Sequence, residues 1–287
     1  MVSIRSILPT LPPAERRVAE GVLEHPADIV TLSIRDLAVQ AETSEATVTR
    51  FCKHAGFAGY PDLRLALATH VGRSQRLPGL IVGAEVSPDD ALDDIVRKVG
   101  AVDAQAVIDT VEQLDTDILA RVADAVAAAE RIELYGIGAS GLVAIDLERK
   151  LRRIGRSAAA SVDGHAAMTS AAMLGPRDLA IGISHSGETL DVIDAIVQAG
   201  AVGATTAAIT NYSRSTLAAA AELLLTTAAR ESLFRAGAMA SRSAQLTVID
   251  CIYLAVARSD SEATVKALEL TSAAVSSRRR AAGARNA

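Results

Sequence analysis

The feature that most constrains the fold is an alternation of short apolar runs with helical patterns in the second half of the chain. The runs begin at residues 132, 157, 178, 204 and 223, and amphipathic segments separate them. Because parallel strands need helical crossovers, this alternation predicts a three-layer αβα domain with a five-stranded parallel sheet. Half of the residues are hydrophobic but only 2% are aromatic, so small aliphatic side chains must fill this core.

One strand-to-helix turn of this pattern is rich in hydroxyl groups. The segment Ser184-His185-Ser186-Gly187-Glu188-Thr189 follows the apolar run 178–183 and precedes a helical pattern. The first turn of a helix offers free backbone N–H groups and the positive end of the helix dipole, which favours an anion. The segment lacks the lysine and spacing of a nucleotide P-loop, so a phosphate monoester on a small molecule fits better. A capped helix that binds nothing is the alternative.

A glycine-rich turn follows the first predicted strand. Gly136, Gly138 and Gly141 have the spacing of a dinucleotide-binding turn, and Asp163 follows where a ribose-binding acid is expected. On spacing alone, a nicotinamide-binding domain therefore remains open. However, Ser140 adds a hydroxyl inside this turn, and the ends of parallel strands open on one edge of a sheet. The glycine-rich and hydroxyl-rich turns are therefore expected to face the same anion.

The N-terminal region has the pattern of a helix-turn-helix. Ser33 is the expected N-cap of one short helix, and a second begins at Ser44, with Val48 and Phe51 facing the core. The turn position that glycine often fills is Glu42, which predicts a left-handed or otherwise costly backbone there.

The outer face of the second of these helices favours DNA. From Ser44 to Arg76 there are 5 Lys and Arg against 2 Asp and Glu, although the whole chain has a net charge of −5. Positive charge is therefore concentrated where DNA would lie. A three-helix bundle that contacts protein is the alternative. The predicted DNA contacts are Ser44, Glu45, Thr47, Thr49, Arg50 and Lys53.

Four N-terminal segments occur in a characteristic order: Glu15-Arg16-Arg17, Leu32 to Ala38, Ser44 to Cys52 and Gly56 to Leu63. Together they resemble the DNA-binding domain of the RpiR family of bacterial transcription regulators. In that family this domain precedes a sugar isomerase (SIS) domain, a phosphosugar-binding module, which the hydroxyl-rich turns also resemble. The resemblance implies operator DNA and a phosphorylated sugar effector as partners, and a homodimer or homotetramer.

The expected ligand contacts follow from the two turns and the resemblance. The hydroxyls of Ser140, Ser184, Ser186 and Thr189 and the backbone of Gly138, Ala139 and Gly187 are expected to bind phosphate, and Glu231 and His165 the sugar.

An SIS-type sugar-phosphate isomerase is the enzymatic alternative. Its candidate bases are Glu188, Glu231, His165 and His185, but none lies in a signature that fixes a catalytic role. The attached DNA-binding domain favours a sensor, and no catalytic residue, cofactor or metal site is predicted.

The sequence predicts four regions: a helix-turn-helix domain (1–75), a linker (76–90), the SIS domain with its preceding helices (91–275) and a disordered basic tail (276–287). No segment has the apolar length of a membrane span, and the N-terminus lacks a signal-peptide core. Cys52 and Cys251 match no metal or redox spacing, as expected for small buried residues in a reducing compartment. We therefore expect a cytoplasmic protein without membrane contact.

Overall fold

The computed structural model describes residues 4, 7–74, 86–231 and 239–283. The chain divides into two compact units. The first unit comprises Met1–Gln113, Asn211–Arg214 and Ala228–Ala244, and the second comprises Leu114–Thr210, Ser215–Thr227 and Gln245–Ala287.

The N-terminal part of the first unit is helical, as predicted. A core of Val18, Val22, Leu37, Val48 and Phe51, all fully buried, holds its short helices together. After a 3-10 turn (Leu8–Thr10) come α1 (Pro13–Glu24), α2 (Pro26–Ile29), α3 (Ile34–Gln40), α4 (Glu45–His54) and α5 (Tyr60–Ser74), and a longer helix, α6 (Leu92–Gln113), follows.

The turn between α3 and α4 has the left-handed backbone that the sequence predicts. Glu42 has a φ of 49°, a conformation that costs a residue other than glycine about 1 to 2 kcal/mol. Arg17 of α1 holds the turn, because its Nε donates to the carbonyl oxygen of Ala41 at 3.0 Å and its Nη2 donates to that of Glu42 at 2.9 Å. Ser44 then caps α4, and its Oγ accepts a hydrogen bond from the backbone N–H of Thr47.

The second unit contains the predicted five-stranded parallel sheet, which confirms the fold class. Its strand order is β2-β1-β3-β4-β5 and every neighbouring pair is parallel. The strands are β1 (Ile132–Gly136), β2 (Ala158–Ser161), β3 (Leu179–Ile183), β4 (Thr205–Thr210) and β5 (Leu223–Thr226). The helices that follow residue 114 are α7 (Thr116–Ala128), α8 (Ala139–Arg153), α9 (Gly164–Ala171), α10 (Leu190–Ala201), α11 (Thr216–Ala220), α12 (Ala240–Ser259) and α13 (Ser261–Gly283). All belong to the second unit except the first residues of α12, up to Ala244, which are grouped with the first.

Helices cover both faces of the sheet and produce the three layers. Ile181 and Ile209 point to the face that α7, α8 and α12 cover. The opposite face carries smaller residues such as Ala180, and α9, α10 and α11 cover it. A Cβ atom at Gly182 would lie 2.7 Å from Ile196 Cγ1 of α10. Small strand residues therefore let this helix approach the sheet closely.

The C-terminal end corrects the predicted disordered tail. Helix α13 continues to Gly283, so residues 276–283 are helical, and residues 284–287 lie outside the described residues. Alanine and arginine both favour helices, and a glycine is a common residue at a helix end. The arginine run was predicted from its charge to be disordered, but its helix propensity is high.

The predicted linker lies mostly outside the described residues, but its last residues are ordered against α6. The backbone N–H of Ser87 donates to Asp90 Oδ2 at 2.8 Å, and Lys98 Nζ of α6 lies 2.8 Å from the same carboxylate. Asp90 therefore joins the end of the predicted linker to α6.

Neither cysteine is paired: Cys52 is buried and Cys251 is half-buried. Burial raises the pKa of the Cys52 thiol to about 11, so this side chain stays uncharged at neutral pH. Across the described ranges, no helix combines the length and the apolar character that a bilayer crossing requires.

Candidate functional site

The strand order brings the two predicted turns to one edge of the sheet. β1 and β3 are direct neighbours, with Gly136 paired to Ile183 at their C-terminal ends. The glycine-rich and hydroxyl-rich turns therefore leave the sheet side by side. In a sheet of order 2-1-3-4-5, this position is the topological switch point, where doubly wound proteins bind their ligands. The dinucleotide-binding alternative is disfavoured because its usual order is 3-2-1-4-5-6.

Three hydroxyl groups converge in the turn after β3. Ser184 Oγ lies 2.9 Å from Thr189 Oγ1 and 3.5 Å from Ser186 Oγ. Ser184 is 2% exposed, whereas Ser186 faces solvent. The backbone N–H of Gly187 donates to Ser184 Oγ, and that of Glu188 donates to Ser186 Oγ, both at 3.1 Å. We refer to Ser184, Ser186 and Thr189 as the hydroxyl cluster.

The two helices that begin at this edge have no side-chain caps. Gly138 precedes α8 and Thr189 precedes α10, and neither N-cap residue makes a side-chain hydrogen bond to its helix. The side chains of Asp115, Asp163 and Ser215 cap α7, α9 and α11. Among these five helices, only the two at the β1/β3 edge thus leave their first N–H groups without a side-chain acceptor. Their dipoles favour negative charge at that edge.

Ser140 of the glycine-rich turn contacts a glutamine that sequence reasoning missed. Gln245 of α12 is 1% exposed. Ser140 Oγ lies 3.3 Å from its Oε1 and 3.2 Å from its Nε2. The sequence signal was a polar residue on the apolar stripe formed by Ile249 and Ile252, which are both fully buried.

Glu188 fastens the hydroxyl-rich turn to α11. Its carboxylate accepts hydrogen bonds from Thr216 Oγ1 at 2.6 Å and from the Thr216 N–H at 2.9 Å. These bonds lower the pKa of Glu188 below its ordinary value, which makes it a poorer base. The carbonyl oxygen of Gly187 accepts from the Leu217 N–H at 2.9 Å. Gly187 has a φ of 69°, and a Cβ atom added there would overlap the Ser215 hydroxyl.

The other predicted residues have different surroundings. His165 is exposed in the first turn of α9, and His185 is half-buried within the hydroxyl-rich turn. Asp163, the acid of the dinucleotide hypothesis, accepts a hydrogen bond from the Ala166 N–H at 2.9 Å and so caps α9. Glu231 belongs to the first unit, where its Oε1 accepts from the Ser241 N–H at 2.7 Å. In the part of the chain that the structure describes, no three His, Cys, Asp or Glu side chains are grouped to hold a metal ion.

Helix α4 presents most of the predicted DNA contacts to solvent. Arg50 is exposed, but Thr47 is only 5% exposed, and its hydroxyl accepts a hydrogen bond from Arg50 Nη2 at 3.2 Å. Thr47 therefore supports Arg50 from the core side of the helix. The hydroxyl of Thr49, which is half-buried, donates to the carbonyl oxygen of Glu45 at 3.0 Å. The remaining exposed members of the predicted set are Ser44, Glu45 and Lys53.

A buried carboxylate of α1 supports this helix, and sequence reasoning missed its role. Glu15 is 3% exposed. Its Oε2 lies 2.6 Å from His54 Nδ1 and its Oε1 lies 3.7 Å from Arg50 Nε. The sequence signal was an acid on the core-facing stripe of α1, where Val18 and Val22 follow at helical spacing.

Comparison with known proteins agrees with this architecture. The helix-turn-helix domain of the rpiR family matches residues 1–74, and the SIS domain matches residues 125–255. An HTH-type transcriptional regulator of Caldanaerobacter subterraneus subsp. tengcongensis is 38% identical over 96% of both chains. The HTH-type transcriptional regulator YbbH of Bacillus subtilis is 32% identical, again over 96% of both chains.

A solved structure also spans nearly the whole chain. The Vibrio vulnificus NanR protein, solved in complex with ManNAc-6P, is 30% identical, with a TM-score of 0.61. The similarity covers 95% of this chain and 96% of that one. With two relatives above 30% identity along almost their full lengths, the predicted resemblance is confirmed, and the chain belongs to the rpiR family of helix-turn-helix transcriptional regulators.

Proposed function

We propose that this regulator binds the phosphate of a phosphorylated sugar at the β1/β3 edge and operator DNA through α4. One observation carries the effector assignment: the hydroxyl cluster lies where α8 and α10 begin without side-chain caps. Hydroxyl donors and two helix N-termini together match the charge and the several acceptors of a phosphate monoester. The ManNAc-6P bound by the V. vulnificus relative supports a sugar phosphate over other anions.

The proposed phosphate contacts are the hydroxyl cluster, Ser140 and the backbone of Gly138, Ala139 and Gly187. In the present structure the Gly187 N–H donates to Ser184 Oγ, so this group must exchange its acceptor when phosphate binds. Glu231 and His165 remain the proposed contacts of the sugar. Oε2 of Glu231 is buried and has no hydrogen-bond partner among the residues that the structure describes, as expected for an acceptor that a ligand hydroxyl would satisfy.

We further propose that the protein senses its ligand without converting it, in the cytoplasm and as a homodimer or homotetramer. Glu188, a candidate base, accepts two hydrogen bonds from Thr216 at the start of α11 and has a lowered pKa. A dimer would present two copies of α4 to the half-sites of a roughly palindromic operator. The ligand changes DNA affinity only if it binds one arrangement of the protein better than another.

The effector assignment is tested by a thermal-shift screen of sugar phosphates, including ManNAc-6P, beside their unphosphorylated sugars. We expect stabilisation by a phosphorylated member only. Ser184→Ala with Ser186→Ala removes two hydrogen bonds to a charged group, each worth about 1.5 to 3 kcal/mol. Affinity should therefore fall by at least about 100-fold. Ser272→Ala with Ser276→Ala, on the exposed surface of α13, is the matched control. Undiminished binding by the first variant would refute the site.

Turnover is tested with the sugar phosphate that gives the largest shift. NMR spectra of that compound incubated with the protein should show no conversion between its aldose and ketose forms. Conversion that depends on protein concentration would refute the sensor proposal in favour of an isomerase.

The DNA assignment is tested on a site selected by the wild-type protein from a random DNA pool. If Arg50 contacts a base, Arg50→Ala should weaken binding to that site by about 1 to 3 kcal/mol and reduce its preference over unrelated DNA. Arg35→Ala removes the same charge from an exposed position of α3 and should leave that preference unchanged. If Arg50→Ala and Arg35→Ala prefer the selected site over unrelated DNA to the same extent, the assignment of the DNA contact to α4 is contradicted.

A further inference from the structure

The contact between Ser140 and Gln245 is unusual because one hydroxyl faces both ends of one amide. Gln245 is 1% exposed on α12, and its Oε1 and Nε2 lie 3.3 Å and 3.2 Å from Ser140 Oγ. An amide offers an acceptor at one atom and a donor at the other, whereas a hydroxyl can be donor or acceptor. This pair therefore stays hydrogen-bonded whichever way the hydroxyl proton points.

We propose that Gln245 is a positioning residue that directs the hydroxyl proton of Ser140 toward a bound phosphate. The inference rests on the proposed function of the β1/β3 edge. Without ligand, Ser140 Oγ–H donates to Gln245 Oε1. When phosphate binds, the hydroxyl proton turns to a phosphate oxygen, and Gln245 Nε2–H donates to the lone pair of Ser140 Oγ.

This role explains why the polar side chain of Gln245 occupies a position in the core. Ile249 and Ile252, on the same helix, are fully buried and belong to the apolar core. Burying an amide is unfavourable unless it is hydrogen-bonded, and an apolar residue of similar size would avoid that cost. An amide that polarises a phosphate-binding hydroxyl strengthens a charge-assisted hydrogen bond instead. Gln245 therefore contributes to ligand affinity through Ser140.

A carboxylate and an apolar side chain test different parts of this role. Gln245→Met keeps the length of the side chain and removes both hydrogen-bonding ends. Gln245→Glu keeps an oxygen acceptor at Oε1 but replaces the Nε2–H donor by a second oxygen, so that the Ser140 hydroxyl donates to the carboxylate. It also adds a negative charge near the phosphate. The glutamate variant should therefore bind phosphate more weakly than the methionine variant.

The experiment is a double-mutant cycle on the full-length protein, with inorganic phosphate as the calorimetric titrant. Gln245→Met should weaken phosphate binding by about 5- to 10-fold, as expected for one hydrogen bond. Ser140→Ala should weaken it by about 10-fold or more, since it removes a hydrogen bond to a charged group. The double variant should be no weaker than Ser140→Ala alone, because Gln245 acts through that hydroxyl.

A purely structural role predicts different results. In that case, Gln245→Met would lower the melting temperature but leave the phosphate affinity unchanged, or the two substitutions would weaken binding additively; either result overturns the proposal. If Gln245→Met does not fold, Gln245→Glu decides, and phosphate affinity within about 2-fold of wild type would overturn it. Absence of phosphate binding by the wild-type protein would overturn the proposed function of the β1/β3 edge as well. Failure of the Gln245 proposal alone would leave phosphate binding by the wild-type protein intact.

Discussion

Gly187→Ala tests the shape of the hydroxyl-rich turn, and Gly203→Ala provides a matched control. Both glycines have positive φ, 69° and 90° respectively, so alanine at either position adds a left-handed strain of about 1 to 2 kcal/mol. Only Gly187 is also crowded, since its new Cβ would lie 2.8 Å from Thr210 Oγ1 and overlap the Ser215 hydroxyl. At Gly203 the nearest atom is Pro176 Cγ, at 3.4 Å.

The crowding at Gly187 adds a packing penalty of about 1 to 3 kcal/mol. We therefore expect Gly187→Ala to lower the free energy of unfolding by about 2 to 5 kcal/mol, and Gly203→Ala to lower it by about 1 to 2 kcal/mol. Urea unfolding followed by circular dichroism measures both changes.

The two variants should also differ in ligand binding. Relief of the overlap must displace the turn that carries the hydroxyl cluster, so the sugar-phosphate affinity of Gly187→Ala should fall by at least about 10-fold. Gly203→Ala lies beyond the C-terminal end of α10 and should bind as wild type does. If Gly187→Ala and Gly203→Ala lost equal stability, or if Gly187→Ala bound the ligand as wild type does, the proposed crowding at Gly187 would be refuted.

Two further predictions concern charged groups. Glu15→Ala removes the buried hydrogen-bond partner of His54 and the ion-pair partner of Arg50, and should destabilise the helix-turn-helix by about 1 to 3 kcal/mol; unchanged urea unfolding would contradict this. Hydrogen bonds from the Arg131 guanidinium lower the pKa of Asp178, so the unfolded chain binds that proton at higher pH than the folded chain. The resulting stability is present above about pH 4 and lost as the pH falls further. Melting temperatures between about pH 3 and 7 should therefore vary less in Asp178→Asn, and equal pH profiles would contradict the assignment.

The fold could be predicted because each strand carries its own local signal. The runs at β1 and β3 are short and mainly apolar, and each is followed by a turn and a helical pattern. The left-handed backbone at Glu42 was also predictable, because Glu42 occupies the position of the helix-turn-helix that glycine often fills. By contrast, the end of α13 could not be predicted, because a run of like charges favours disorder whereas good helix formers favour a helix.

Parts of the site depend on residues far apart in the sequence. The hydroxyls of the turn after β3 lie within one six-residue segment, so the sequence alone predicts that they are close together. Gln245 lies 105 positions after Ser140, and Glu15 lies 39 positions before His54. Each is a polar residue on the apolar face of a helix. Such a pattern predicts that the side chain is buried, but it does not predict which residue it contacts. Only the packing of helices identifies that partner.

The most direct test of the central claim is calorimetric titration of the sugar phosphate that stabilises the wild-type protein most. We expect saturable binding with one site per chain, and a loss of at least about 100-fold in affinity when Ser184 and Ser186 are both replaced by alanine. Binding to DNA without ligand should be retained in that variant. Equal affinity of the variant and the wild-type protein for the sugar phosphate would contradict the claim that the hydroxyl cluster is the effector site.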